Sequence, residues 1–248
     1  MKIIVSRIVV EKAWDEDAHP RHPTGDPRGG QFAPKAGAGA GAGGVEDVAK
    51  AVRNRKWREL ATSADTEAFE KEQPINAGPA TAGSVREYTE FGFWGINRYL
   101  RGQITFYEEE EEENKQVRAK YEKHIANIDE LLSATPLPDD LVVFRGLRHD
   151  VNLDLDFVAG EMFVDKGFVS ASTSEKFARD WLTIGDIKWD KGAVLRIHAP
   201  KGSKAAYLDG LSTREDEREV LIARKSQFLV LGVDKKKRTV DVLLVQNP

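Results

Sequence analysis

After Asp140 the chain changes texture, and that change constrains its fold more than any single motif does. Before it, apolar residues recur at helical spacing; after it they gather in short runs of β-branched or bulky residues separated by turn signals. Val48, Val52 and Leu60, with Trp57 between them, predict an amphipathic helix from Val45 onward, interrupted by Pro74 and Pro79. Phe93, Ile96, Tyr99 and Leu100 predict a second helix from Ser84 to Arg101. There Ser84 would be the N-cap, with Glu87 three residues on, and Gly102 the stop. Val117, Tyr121, Ile125, Ile128 and Leu132 form the stripe of a third helix, closed by Pro136 and Pro138. The strand candidates are Leu141 to Arg145, Phe168 to Ser172, Ala193 to Ala199, Glu219 to Ile222, Gln227 to Val233 and Thr239 to Gln246, with one helix from Glu175 to Thr183 among them. Helices first and strands after predict an α+β fold rather than a doubly wound sheet.

Composition narrows the function classes. Without cysteine the chain has no disulfide, no thiolate metal ligand and no cysteine nucleophile. A net charge of −4 offers nucleic acid no global basic field. No apolar run reaches the length of a membrane-spanning helix. The apolar start, Met1 to Val10, runs into Glu11 and Lys12 without a cleavage site, so it is not read as a signal peptide. His19 and His22 lack the spacing and further ligands of a zinc site. No Gly-x-Gly-x-x-Gly follows a strand, so a nucleotide would not be held in the Rossmann manner. The run from Glu108 to Glu113 reads as a solvated face.

Residues 1–44 are expected to be an N-terminal extension. From His19 to Gly44 prolines and glycines dominate, ending in an alternating Gly/Ala run that buries too little apolar surface to order itself. The expected domain spans 45–248, with a core from 84 to 246. The stretches Trp14 to Arg21 and Arg28 to Phe32 resemble linkers in tailed-phage head proteins.

Three elements of the strand-rich part can carry chemistry. In Phe144-Arg145-Gly146, an arginine ends an apolar strand, where it can clamp a phosphate or carboxylate. Gly146 would let the backbone bend and a ligand come close. In Gly167 to Ser174, strand alternation puts Ser170, Ser172 and Ser174 on one face if the extension persists, although Thr173 and Ser174 could equally cap the following helix. In Arg214 to Ile222, Glu217 and Glu219 stand two apart on a strand and share a face. Such a carboxylate pair repels itself unless something uses it, and it can divide labour between a cationic sugar and an incoming nucleophile. A charged surface turn is the plainer alternative.

Together these elements resemble the Arg–Ser–Glu class of ADP-ribosyltransferases, the group containing many bacterial toxins. Gly167-Phe168-Val169-Ser170-Ala171-Ser172 is similar to the family's Gly-Phe-x-Ser-Thr-Ser, with Ala171 for Thr. Glu217 to Arg224 is similar to its Glu-x-Glu-Val-Leu-Leu-Pro-x, with Ala223 for Pro. Ala205 to Leu208 also fits, as does Ile96-Asn97-Arg98-Tyr99-Leu100-Arg101 against the family's Ile-Asn-x-x-Leu-Arg. Ser172-Thr173-Ser174 is a second register for the serine motif. The resemblance implies N-terminal helices packed on two facing, mostly antiparallel sheets. It implies NAD as substrate, no metal, and transfer of ADP-ribose to a protein, with Glu-x-Glu pointing to arginine. By the same resemblance Arg145 binds the diphosphate and Ser170 orients Glu219. Glu219 holds the ribose and stabilises its cation, and Glu217 engages the acceptor. Asn97, Arg101, Gly146 and Ser172 complete the NAD site. The expected partner is a protein acceptor, with a host protein a candidate, and neither membrane nor nucleic acid is expected. The expected place of action is a cytoplasm, reached directly or by delivery with a phage particle. The loop from Asp209 to Asp216, where the family chooses its partner, has Leu211 but no aromatic. The rival readings are an NAD glycohydrolase, transfer to a nucleic-acid base, and a phage structural protein with a decayed transferase fold.

Overall fold

The structure, a computed structural model, describes residues 42–104, 111–147, 157–183, 192–208, 210–212 and 217–246. The extension up to Gly41, the start of the acidic run and most of the 209–216 loop lie outside the described residues. The first helix, α1 (Ala42–Asn54), takes in three residues expected in the linker. The single helix expected from Val45 up to Pro74 is two: the chain leaves the helix after Asn54, so Trp57 and Leu60 lie between α1 and α2 (Ser63–Glu72). What starts it is a capping box, in which Thr62 accepts from the Asp65 N–H while the Asp65 carboxylate accepts from the Thr62 N–H.

The expected second helix is three pieces in one run: α3 (Pro79–Glu87), a π turn (Tyr88–Gly92) and α4 (Phe93–Leu100). Its start is corrected. Pro79, with its preset φ, opens the helix behind Gly78, and Ser84 lies inside it, donating its hydroxyl to the Ala80 carbonyl at 3.0 Å. Gly102 does end the run, at φ +70°, with its N–H on Tyr99 and that of Gln103 on Arg98. Helix α5 (Glu111–Ala134) packs on α3 and α4. At Gly95 a Cβ would lie 2.3 Å from the Tyr121 hydroxyl, so glycine permits that approach.

Eight strands follow: β1 (Leu141–Leu147), β2 (Met162–Asp165), β3 (Val169–Ser172), β4 (Ala193–Ala199), β5 (Ala205–Tyr207), β6 (Glu219–Ile222), β7 (Ser226–Asp234) and β8 (Thr239–Gln246). Helix α6 (Glu175–Asp180) and a 3-10 turn (Trp181–Thr183) stand between β3 and β4. The ladder order is β2-β7-β8-β4-β1-β3-β6-β5, antiparallel except for β4 with β8. The two short strands that escaped the sequence reading, β2 and β5, are the two edges. The β5 edge is covered by buried Gln73, which accepts from the Tyr207 N–H and donates to the Ala205 carbonyl.

Where two facing sheets were expected, hydrogen bonding joins all eight strands into one. The facing arrangement survives in its packing. One face of every strand feeds a single apolar cluster, to which, among the described residues, those outside the strands add only Leu60, Phe69, Leu137 and half-buried Phe157. Both the β3-β6-β5 half and the β2-β7-β8 half of the sheet contribute to it. The outward faces are covered in turn: β7 and β8 by α1, β1 and β4 by α6, and β3, β6 and β5 by α3 to α5. Class and helix-on-sheet layering are thus those of the α+β fold anticipated.

Candidate active site

A cleft, about 1000 Å³ with its open mouth included, lies where these layers meet. The π turn and α4 form one wall, with Tyr88, Thr89, Phe93, Trp94, Asn97, Arg98 and Arg101. Helix α6 and its 3-10 turn form the other, with Phe177, Ala178 and Trp181. The floor is β1 and β3, and Glu217 and Glu219 close the end. Every residue singled out in the sequence lines this space: Arg145, Gly146, Ser170, Ser172, Glu217, Glu219, Asn97 and Arg101.

Arg145 continues the row Leu141, Val143 and Leu147 on β1, whose other members sit in the apolar core. It is 7% exposed and donates from Nη1 to the Ser170 carbonyl at 2.5 Å. Burial pushes its pKa below the ordinary value; Asp165 first, then Tyr88 and Glu219, oppose that shift, and Arg101 adds to it. Gly146 has a different reason from the one expected. A Cβ there would lie 2.6 Å from the Ala178 carbonyl oxygen and 3.2 Å from the Trp181 ring. It is α6 that approaches this backbone, which is paired with Val194 as ordinary strand.

Across the β3–β6 ladder Ser172 stands opposite Glu219, and Ser170 opposite Leu221. Ser172 is therefore the direct neighbour of Glu219 and Ser170 the diagonal one. The Ser170 hydroxyl lies 3.4 Å from that of Tyr88. Ser172 donates to the Glu217 carbonyl at 2.8 Å and accepts from the Ser174 N–H at 3.0 Å. The extension ends there. Ser174 caps α6 by accepting from the Phe177 N–H, and the buried Thr173 hydroxyl has no hydrogen-bond partner among the described residues. Of the two serine registers, Ser170-Ala171-Ser172 is the one lining the cleft.

The two glutamates share the cleft, but not through strand alternation. Glu219 is the first residue of β6, whereas Glu217 precedes it in a turn and Arg218 between them has φ 46°. This left-handed residue turns the chain so that both carboxylates reach one space. Glu219 is 6% exposed and Glu217 is half-buried.

Asn97 and Arg101 line the wall and are each tied to protein there. Asn97 accepts from the Phe168 N–H at 2.8 Å and donates to the Phe168 carbonyl and to the Tyr88 hydroxyl. Arg101 forms a forked pair with Asp165 at 2.8 to 3.0 Å. Tyr88, Asp165, Phe177 and Trp181 were not singled out in the sequence. Tyr88 is nine residues before Asn97, about two and a half turns of regular helix and so on the opposite face. The π turn between them takes up an extra residue and brings them together. The phenol's pKa is pushed up to about 12 by burial and, less, by Glu219, so the hydroxyl stays protonated. The rings of Phe177 and Trp181 stack 6.5 Å apart, and across the cleft Arg98 lies 4.4 Å over Trp94. Among the described residues no cluster of His, Asp or Glu is placed to hold a metal ion, and no helix is long and apolar enough to cross a membrane.

A family model for the ADP-ribosyltransferase exoenzymes matches residues 55–247. The chain is 28% identical over 159 residues to NAD(+)--arginine ADP-ribosyltransferase EFV of Enterococcus faecalis, covering 63% of this chain and 29% of that protein. It is 28% identical over 171 residues to mono(ADP-ribosyl)transferase SpvB of Salmonella typhimurium, covering 60% of this chain and 26% of that one. The chain thus spans under a third of the length of these curated relatives. Among solved structures, C3stau2 from S. aureus with NAD shares the fold at TM-score 0.58 and 14% identity, over 78% of this chain and 100% of that one.

Proposed function

The chain belongs to the ADP-ribosyltransferase exoenzyme family, and on that premise we propose that it splits NAD and transfers the ADP-ribose to an arginine side chain of a protein. One observation carries the proposal. Arg145, Ser170 and Glu219 come from three different strands, and with Glu217 they line a single cleft.

The cleft's residues fit the substrate. A buried guanidinium suits a diphosphate, and a buried carboxylate flanked by hydroxyls suits a ribose that turns cationic. Bound there, NAD supplies a glycosidic bond whose carbon becomes cationic as nicotinamide departs with the bonding electrons. Arg145 holds the diphosphate. Glu219, flanked by Ser172 and Ser170, accepts from the ribose 2′-hydroxyl and faces the positive charge. Glu217 pairs with the acceptor guanidinium, and takes its proton as the new carbon–nitrogen bond forms. The fork of a guanidinium matches a carboxylate, which favours arginine as the acceptor. We place the acceptor protein in a cytoplasm, reached from within or by delivery with a phage particle, and a host protein is the first candidate.

The test is incubation with NAD and agmatine, a small guanidine. The wild-type chain is expected to release nicotinamide and form ADP-ribosyl-agmatine. Glu217→Gln is expected to keep nicotinamide release and lose the agmatine product. Equal loss of both would remove Glu217 from acceptor handling. No nicotinamide release by the wild type would overturn the activity itself, and release without any agmatine product would make the protein a glycohydrolase.

A further inference from the structure

We infer that Arg218, between the two glutamates, is a positioning residue: its left-handed backbone sets the Glu217 carboxylate for the acceptor and leaves Glu219 where the sheet holds it. The inference rests on the reading of the cleft above.

The two carboxylates are anchored differently. Glu219 is held from both sides of β6. It stands opposite Ser172 of β3, and its carbonyl accepts from the N–H of Leu208, the residue after β5, at 2.8 Å. Glu217 lies ahead of the strand. Its carbonyl accepts from the Ser172 hydroxyl at 2.8 Å, and the next carbonyl, that of Arg218, accepts from the Thr173 N–H at 3.1 Å. The last residue of β3 and the one after it thus clip both carbonyls of the turn. Arg218 itself has φ 46°, and its guanidinium donates to the carbonyl of Ala61, just before the N-cap of α2, at 3.4 Å.

A side chain disfavours the left-handed region, so the conformation persists where its surroundings impose it, and such strain gathers at functional sites. What this turn gains is nearness. Two residues on one face of a strand keep about 7 Å between their Cα atoms, and a bent residue between them shortens that span. Glu217 is thereby drawn toward Glu219, and an acceptor guanidinium paired with Glu217 is drawn toward the sugar carbon that Glu219 faces. Attack needs the reacting atoms about 3–3.5 Å apart, and a displacement of about 1 Å can cost a hundredfold. Water in place of the acceptor needs no carboxylate to hold a guanidinium. Straightening the chain at Arg218 would therefore harm transfer and spare NAD cleavage.

Backbone and side chain are separable at this position. Asparagine tolerates the left-handed region but gives up the guanidinium, whereas valine, branched at Cβ, resists that region. Full chains carrying Arg218→Asn or Arg218→Val are incubated with NAD, with and without agmatine. Nicotinamide release without agmatine is expected within about threefold of wild type in both. With agmatine, the ratio of ADP-ribosyl-agmatine to free ADP-ribose is expected within about threefold of wild type in Arg218→Asn and at least about tenfold lower in Arg218→Val. Should Arg218→Val fail to fold, Arg218→Thr, branched but polar, decides. A ratio within about threefold of wild type in the branched variant overturns the inference, and so does an equal fall in its nicotinamide release without agmatine. An equal loss of transfer in Arg218→Asn also overturns it, by assigning the effect to the missing guanidinium rather than to the backbone. A wild-type chain that releases no nicotinamide, or releases it without forming ADP-ribosyl-agmatine, removes the reading of the cleft, and this inference with it. A wild-type chain that does both, with Arg218→Val matching its ratio, removes this inference alone.

Discussion

Two helical layers do the same architectural job on this sheet with different residues. On the outward face of β7 and β8, α1 buries Ala49 and Val52 against Leu231, with Val48, Leu229 and Leu243 beside them. That contact is apolar throughout. On the outward face of β3 and β6, the π turn and α4 bury Ile96 with Phe168 and Leu221, and they also bury Tyr88, Asn97 and Arg101. A cover needs only an apolar stripe. Buried polar residues cost stability unless each is paired, and here Tyr88 meets Ser170 of the cleft, Asn97 holds Phe168 just before β3, and Arg101 holds Asp165 at the end of β2. The difference separates a layer that closes the core from one that also shapes a site.

The comparison breaks hardest at Glu219, on the strand beneath the second layer. Glu219→Ala is expected to lower nicotinamide release by about a thousandfold, the scale of losing the main electrostatic stabiliser of a developing charge, with melting little changed. Turnover near wild type would detach the polar layer from catalysis. Asn97→Ala comes next. It leaves the Phe168 N–H and carbonyl buried and unpaired, for a loss of about 2–4 kcal/mol in denaturant unfolding, and activity should fall with it. Full stability in that variant would mean the layer does not depend on its polar pairing.

Tyr88 sharpens the contrast through pH. Its folded pKa is raised from 10.0 to about 12, so the neutral phenol is the form the fold prefers. Its contribution is whole below pH 10, and stability falls between pH 10 and 12 as the unfolded chain ionises first, by up to about 3 kcal/mol. In Tyr88→Phe this part of the alkaline loss should vanish, leaving a shallower fall between those pH values than in the wild type. Parallel curves would place the tyrosine in water. The smallest effect belongs to the first layer. Val52→Ala should cost about 1–2 kcal/mol of stability and leave the KM and kcat for NAD unchanged. A kinetic change there would erase the distinction between the layers.

Much of this was legible in the residues. The shift from helical to strand periodicity at Asp140 gave the class, and three strand spans, including Ala193 to Ala199, agree with the structure at both ends. Arg145, Ser170 and the two glutamates could be picked out because charged or hydroxylic residues interrupt apolar strands. What escaped depends on partners distant in sequence. Asp165 reads as a turn residue until Arg101 is placed against it. Tyr88 reads as the opposite helix face until a π turn moves it, and no residue pattern announces that turn. The edge strands β2 and β5 are too short for alternation to register. Arg218 was read as strand, but its φ of 46° makes it a turn, so the two carboxylates share a cleft through a geometry other than strand alternation.

The central claim is that one dinucleotide lies across Arg145 and Glu219. The most direct test is a crystal structure of Glu219→Gln grown with NAD, where slowed cleavage keeps the substrate whole. The account predicts the diphosphate at the Arg145 guanidinium and the nicotinamide ribose beside residue 219, between the α4 and α6 walls. A dinucleotide bound elsewhere on the protein, or one lying in the cleft with its diphosphate away from Arg145, would contradict it.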